Sequence, residues 1–113
     1  MSQFISLQDA IDMTTAYRNN REAILAEEFR DQNIIALNET FDSSAVKQLL
    51  DQKDCGKVRI YFGMDGDKKI HVIMVGVNSK DEDMLPDGSN GFEIVENGTR
   101  CPEICPPESG LNS

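Results

Sequence analysis

Three cysteines and one histidine, Cys55, His71, Cys101 and Cys105, are the only soft-metal ligands in the chain. Together they would make up a Cys₃His set, the donor inventory of a structural zinc site. Three residues separate Cys101 from Cys105, within the loose ligand range, but no second Cys-x-x-Cys knuckle accompanies them and Cys55 stands alone at a turn. The same two cysteines can instead close a local disulfide, or all three thiols can stay reduced, as befits an intracellular chain. No cofactor is expected, zinc being the one alternative. Thioredoxin-like exchange is disfavoured. A reactive thiolate needs a helix N-terminus or a cation, whereas Glu103 and Glu108 flank this pair.

Cys55 and His71 would form a nucleophile and base only if the fold brought them together, and a lone histidine in a strand is more often structural. No Gly-x-Ser-x-Gly elbow or phosphate loop is present, so no catalytic residue is predicted. Asp65-Gly66-Asp67 resembles the start of a calcium loop. Lys69 then occupies a ligand position and Ile70 the position that needs glycine, so the segment reads as a hairpin turn. Asp81, Asp83 and Asp87 give a denser oxygen cluster for a weak cation site, although Leu85-Pro86 interrupts the spacing. Asn38-Glu39-Thr40 and Asn97-Gly98-Thr99 match glycosylation acceptors, which carry meaning only on a secretory route.

The elements that must position these groups are legible in part. A chain of 113 residues suits one domain, here 1–100, and can bury roughly two-thirds of its unfolded surface. Ser6 caps a helix opening at Leu7, whose apolar stripe runs through Ala10, Ile11, Thr14 and Tyr17 to Phe29, with Asn19-Asn20 a possible break. Ile34 to Leu37 is too short for periodicity to distinguish helix end from buried strand. Asp42 opens the next helix, with Phe41 and Val46 spaced as a hydrophobic staple. Val58–Phe62 and Ile70–Val77 read as strands of a hairpin around Asp65-Gly66. The second strand is apolar at nearly every position, so something should cover both its faces: the helical layer and either the remaining chain or a second subunit. Gly91–Glu96 alternates as a third strand would. The expected fold is therefore α+β, N-terminal helices on a small, mostly antiparallel sheet centred on the 58–77 hairpin. The tail, 101–113, is expected to dock through Ile104, its prolines lowering the entropy lost on ordering.

Arg59-Ile60-Tyr61-Phe62-Gly63-Met64-Asp65, then Val75-Gly76-Val77-Asn78, then the terminal Cys101-Pro102…Cys105-Pro106 element resemble a group of small uncharacterised bacterial proteins across residues 39–107. The resemblance implies a bacterial, stand-alone domain and carries no activity with it.

The net charge of −9 disfavours a nucleic-acid backbone as partner, because such binding depends on Lys and Arg displacing counterions. No secretion signal is readable at the N-terminus, no apolar run is long enough to span a membrane, and a cytoplasmic setting follows as the expectation. Acidity concentrates at 81–113, where Glu93, Glu96, Glu103 and apolar Ile104 are candidate partner-binding residues, against the alternative of a solvated surface. The expected function is a non-enzymatic interaction domain for a protein partner, a basic one suiting the acidic surface, with homodimerisation open. The competing expectation is a thiol- or metal-dependent enzyme or sensor built on Cys55, His71, Cys101 and Cys105.

Overall fold

The computed structural model describes residues 3–112. The chain is an α+β protein, with two α-helices and two small antiparallel sheets among the described residues. In order these are α1 (Leu7–Asn20), β1 (Asn38–Thr40), α2 (Ser43–Leu50), β2 (Lys57–Met64), β3 (Ile70–Val77), β4 (Asp83–Met84) and β5 (Thr99–Cys101). They divide between two compact units, Glu39–Thr99 and Met1–Asn38 with Arg100–Ser113. Among the described residues no helix is long and apolar enough to cross a membrane.

In the unit made from both ends of the chain, Ser6 begins α1 as its sequence predicts: its Oγ accepts the Asp9 N–H at 3.0 Å. The helix stops at Asn20 instead of following its apolar stripe to Phe29. Two asparagines form helix poorly, and the next turn is held differently, since the Arg30 guanidinium collects the carbonyls of Glu22, Ala23 and Leu25 at 3.1, 3.3 and 3.0 Å. Residues 34–37 are neither helix nor strand. Side chains satisfy their backbone instead: Arg100 Nη2 binds the Ile34 carbonyl at 3.2 Å, Arg21 Nη1 that of Ile35 at 2.6 Å, and the Tyr17 hydroxyl that of Ala36. Among the described residues of this unit, Ile34 and Cys101 are the buried apolar ones. The tail meets α1 through Arg18 Nη1, which donates to the Leu111 carbonyl at 2.7 Å, while Ile104 is exposed.

The Glu39–Thr99 unit is a three-stranded sheet in the order β2-β3-β4, with α2 packed on β3. The hairpin forms as expected, with Lys57 opposite Val77, Tyr61 opposite Ile73 and Met64 opposite Ile70. Asp65 builds the turn by accepting the N–H groups of Asp67 and Lys69 at 2.8 and 3.0 Å. β3 is the central strand, and Val75, Val77, Met84, Val95 and Leu49 are the buried apolar side chains here. Two local expectations need correction. Asp42 sits at the cap of α2 but contributes its carbonyl to Ala45 and Val46, not its carboxylate. Residues 91–96 do not form a third strand: only Val95 bridges Met74, while Phe92 and Glu93 donate their N–H groups to the side chains of Asn90 and Gln52. Those side-chain acceptors compete with a ladder and hold the segment in irregular form.

Candidate functional site

Side chains alternate across a strand, so β2 has two different faces. Lys57, Arg59, Tyr61 and Gly63 lie on one; Val58, Ile60, Phe62 and Met64 lie on the other.

The polar face is tied down. Arg59 Nη1 reaches Asp83 Oδ1 at 2.5 Å and its Nη2 reaches Asp81 Oδ1 at 2.9 Å, while the Tyr61 hydroxyl donates to Asp83 Oδ2. Since Asp83 lies on β4, these bonds span the central strand, on the face where Val75 and Val77 stand opposite Arg59 and Lys57. The tether shifts its members in a consistent sense. The Tyr61 hydroxyl, and then Arg59, hold the Asp83 carboxyl below the usual carboxylate range, while the bond to Asp83 raises both Tyr61 and Arg59.

The apolar face is open. Val58, Ile60, Phe62 and Met64 are 36, 53, 75 and 62% exposed, although their cross-strand partners on β3 are half-buried or buried. Among the described residues the outer backbone edge is open as well. Met74 spends its N–H and C=O on Val95, so the even-numbered residues of β3 bond away from β2 and the odd-numbered ones toward it. By the register, Val58, Ile60, Phe62 and Met64 therefore aim their own N–H and C=O groups outward from the sheet. The opposite side of β3 is closed by the two-residue β4, by the Val95 bridge, and by the Glu39 carboxylate, which accepts the Val72 N–H at 3.0 Å.

His71 lies across from Gly63, at the turn end of the polar face. Its Nε2 is 2.7 Å from Asp65 Oδ2 and its Nδ1 3.7 Å from Glu96 Oε1. The imidazole bond, followed by backbone N–H groups of the turn, holds Asp65 below the usual carboxylate range. These groups face an open cleft of about 450 Å³ whose other walls are Gly63, Met64, Ile73 and Asn97. An Asp-held imidazole can act as a general base, but no hydroxyl or thiol lines this cleft to serve as nucleophile.

The remaining candidates are dispersed. Cys101 and Cys105 are joined in a disulfide, which consumes both sulfurs as ligands, and Cys55 is a free thiol whose Sγ donates to the Lys57 carbonyl at 3.4 Å. Among the described residues no group of three or more His, Cys, Asp or Glu side chains is arranged to hold a metal ion. Asp81 and Asp83 are engaged by Arg59, whereas Asp87 accepts the N–H groups of Ser89 and Asn90, both at 2.9 Å. The Asp87 carboxyl is accordingly held low, chiefly by the Ser89 N–H. Glu93 and Glu96 border a shallow cleft with Ala45, Gln48 and Ile94, and Glu103 lies within the five-residue disulfide loop Cys101–Cys105 beside exposed Ile104. Ile60, Phe62 and Met64 were not singled out by sequence, although their period of two was a usable signal. Comparison of the chain with protein-family models, with curated proteins and with solved structures finds no match.

Proposed function

We propose that this chain is a non-enzymatic protein-interaction domain that binds an extended polypeptide segment along the outer edge of β2. One observation carries the proposal: four exposed apolar side chains and a backbone edge unpaired among the described residues coincide on the same strand. Strand addition uses those two features together, the edge supplying main-chain hydrogen bonds and the alternating side chains supplying selectivity. The tether from Arg59 and Tyr61 to Asp83 holds the strand in place before it is occupied, which limits the ordering cost of binding. The net charge of −9 disfavours a nucleic acid as the partner, and we place the activity in the cytoplasm.

A photoreactive phenylalanine analogue at position 62, irradiated in the cell, tests this. Crosslinks to polypeptide are expected at position 62 and not at exposed Leu7. Ile60→Pro should abolish them, because it removes an outward N–H while leaving the β2–β3 ladder its donors. Crosslinks indifferent to Ile60→Pro would overturn the proposal.

A second reading, a thiol-responsive tail, is favoured by the Cys101–Cys105 disulfide. A reducing cytoplasm normally keeps such pairs open. Purification without reductant should leave one titratable thiol, Cys55, if the bond persists; three would remove this reading.

A further inference from the structure

The edge of β2 is complementary to itself, and we propose that its occupant is a second copy of this chain, paired antiparallel about a two-fold axis at Tyr61. The inference rests on the edge-binding role proposed above and names the partner.

An added strand must bond to the outward groups of Val58, Ile60, Phe62 and Met64, so an antiparallel copy has to set even-numbered residues opposite even-numbered ones. Centring the pair on Tyr61 uses the whole strand, Lys57–Met64, and extends it to Asp65. Ile60 then faces Phe62 of the other copy and Val58 faces Met64, which makes every pair on the exposed stripe apolar and the central one aromatic with β-branched. On the other face, Lys57 meets Asp65 of the other copy, Arg59 meets Gly63, and Tyr61 meets its own equivalent. Lys57 and Asp65 are opposite charges at the two ends of the strand, so the two-fold arrangement forms that pair twice. Moving the centre to Ile60 sets Lys57 against Gly63 and loses both ion pairs. Moving it to Phe62 runs Lys57 and Val58 into the turn that Asp65 organises.

Geometry also says why the assembly would stop at two. The far side of each sheet already ends in the two-residue β4, the Val95 bridge and the Glu39 carboxylate, so joining two β2 edges leaves no second long edge to propagate. The product is a closed, isologous dimer with one continuous six-stranded sheet, two copies of β4-β3-β2. The stripe of Val58, Ile60, Phe62 and Met64 from each copy becomes a single apolar band. Each copy carries −9, and the acidity is concentrated in 81–113, outside β2, whose own charges are Lys57 and Arg59. The dimer should therefore tighten as salt screens the repulsion.

Light scattering on the full chain should give twice the 12.6 kDa chain mass, and Ile60→Pro should return it to the single-chain value. Register is tested by Tyr61→Cys in a Cys55→Ser background. Positions facing each other between hydrogen-bonded pairs have Cα atoms about 4.5 Å apart, within disulfide reach, so mild oxidation should link two chains through position 61. Because either substitution can disturb folding, amide exchange of the unaltered protein supplies an independent measure: residues 58, 60, 62 and 64 should slow with rising concentration while 57 and 59 do not change. A single-chain mass at every concentration with those four amides exchanging freely would overturn self-pairing. If position 62 still crosslinked a different polypeptide in an Ile60→Pro-sensitive way, the edge-binding role would stand and only the identity of its occupant would fall. Loss of the crosslinks as well would end both.

Discussion

β2 and β3 are both eight residues long, both rich in apolar side chains, and paired residue for residue, yet they live in different environments. β3 ends in three buried residues, with Val75 and Val77 nearly inaccessible. β2 has no buried residue, and Phe62 is three-quarters exposed. The difference is positional. Among the described residues β3 has neighbours along both backbone edges, whereas β2 has one. Apolar composition reports that a segment wants cover; topology decides whether the chain supplies it. On β2 the chain ties down the polar face with its own Arg59–Tyr61–Asp83 tether and leaves the apolar face exposed.

The largest expected effect breaks the comparison on the β3 side. Val77→Ala removes two buried methyl groups and should cost about 2 kcal/mol in denaturant unfolding, because the transfer loss is compounded by incomplete collapse of the site. Cys105→Ser should come next. Opening a five-residue loop forfeits about 2 kcal/mol on the chain-entropy model, and that figure is an upper value because the reduced tail can retain structure. A loss from Cys105→Ser larger than that from Val77→Ala would show that the tail, not β3, anchors the fold.

A smaller effect concerns what holds β2. Asp83 is held below its ordinary pKa in the folded chain, so its contribution to stability is complete above the unfolded carboxylate value and is lost as pH falls through the lowered one. Asp65, held low chiefly by His71, loses its contribution in the same direction. Asp83→Asn should therefore destabilise at neutral pH, with the difference from wild type shrinking to nothing in acid. Amides of Arg59 and Tyr61 should exchange faster in the variant. A difference that grows toward acid would contradict the tether.

What was legible in the sequence follows from how local each interaction is. The start of α1 was readable because Ser6 and Asp9 are three residues apart, and the hairpin because Asp65-Gly66 sits between two strand-forming runs. The end of α1 was not, since Arg30 settles it from outside the helix. Residues 34–37 stayed ambiguous because Arg21, Tyr17 and Arg100 satisfy their carbonyls from 14 to 66 positions away. Gly91–Glu96 misled by its alternation, the competing acceptors Asn90 and Gln52 being invisible to periodicity. The candidate site was half-readable. Period-two alternation in Val58–Met64 was present, but that β2 would lie at the edge, and that Asp83 would face Arg59 across β3, depended on topology.

The smallest effect is the most discriminating. Phe62→Ser removes a large apolar group from a position 75% exposed, so in dilute protein the unfolding free energy should change by no more than about 0.5 kcal/mol. If a second copy covers the residue at higher concentration, burial there adds a term that exists only in the dimer, and stability then depends on concentration by mass action. Wild-type Tm should therefore rise with protein concentration while that of Phe62→Ser stays flat, the two curves meeting at the dilute end. Ile60→Ala should behave alike, its side chain being 53% exposed on the same stripe. Val77→Ala should not, because its loss belongs to the single chain and lowers the curve by about the same amount at every concentration. A loss of 2 kcal/mol from Phe62→Ser in dilute solution would mean that the chain itself buries this residue, and the contrast between β2 and β3 would collapse.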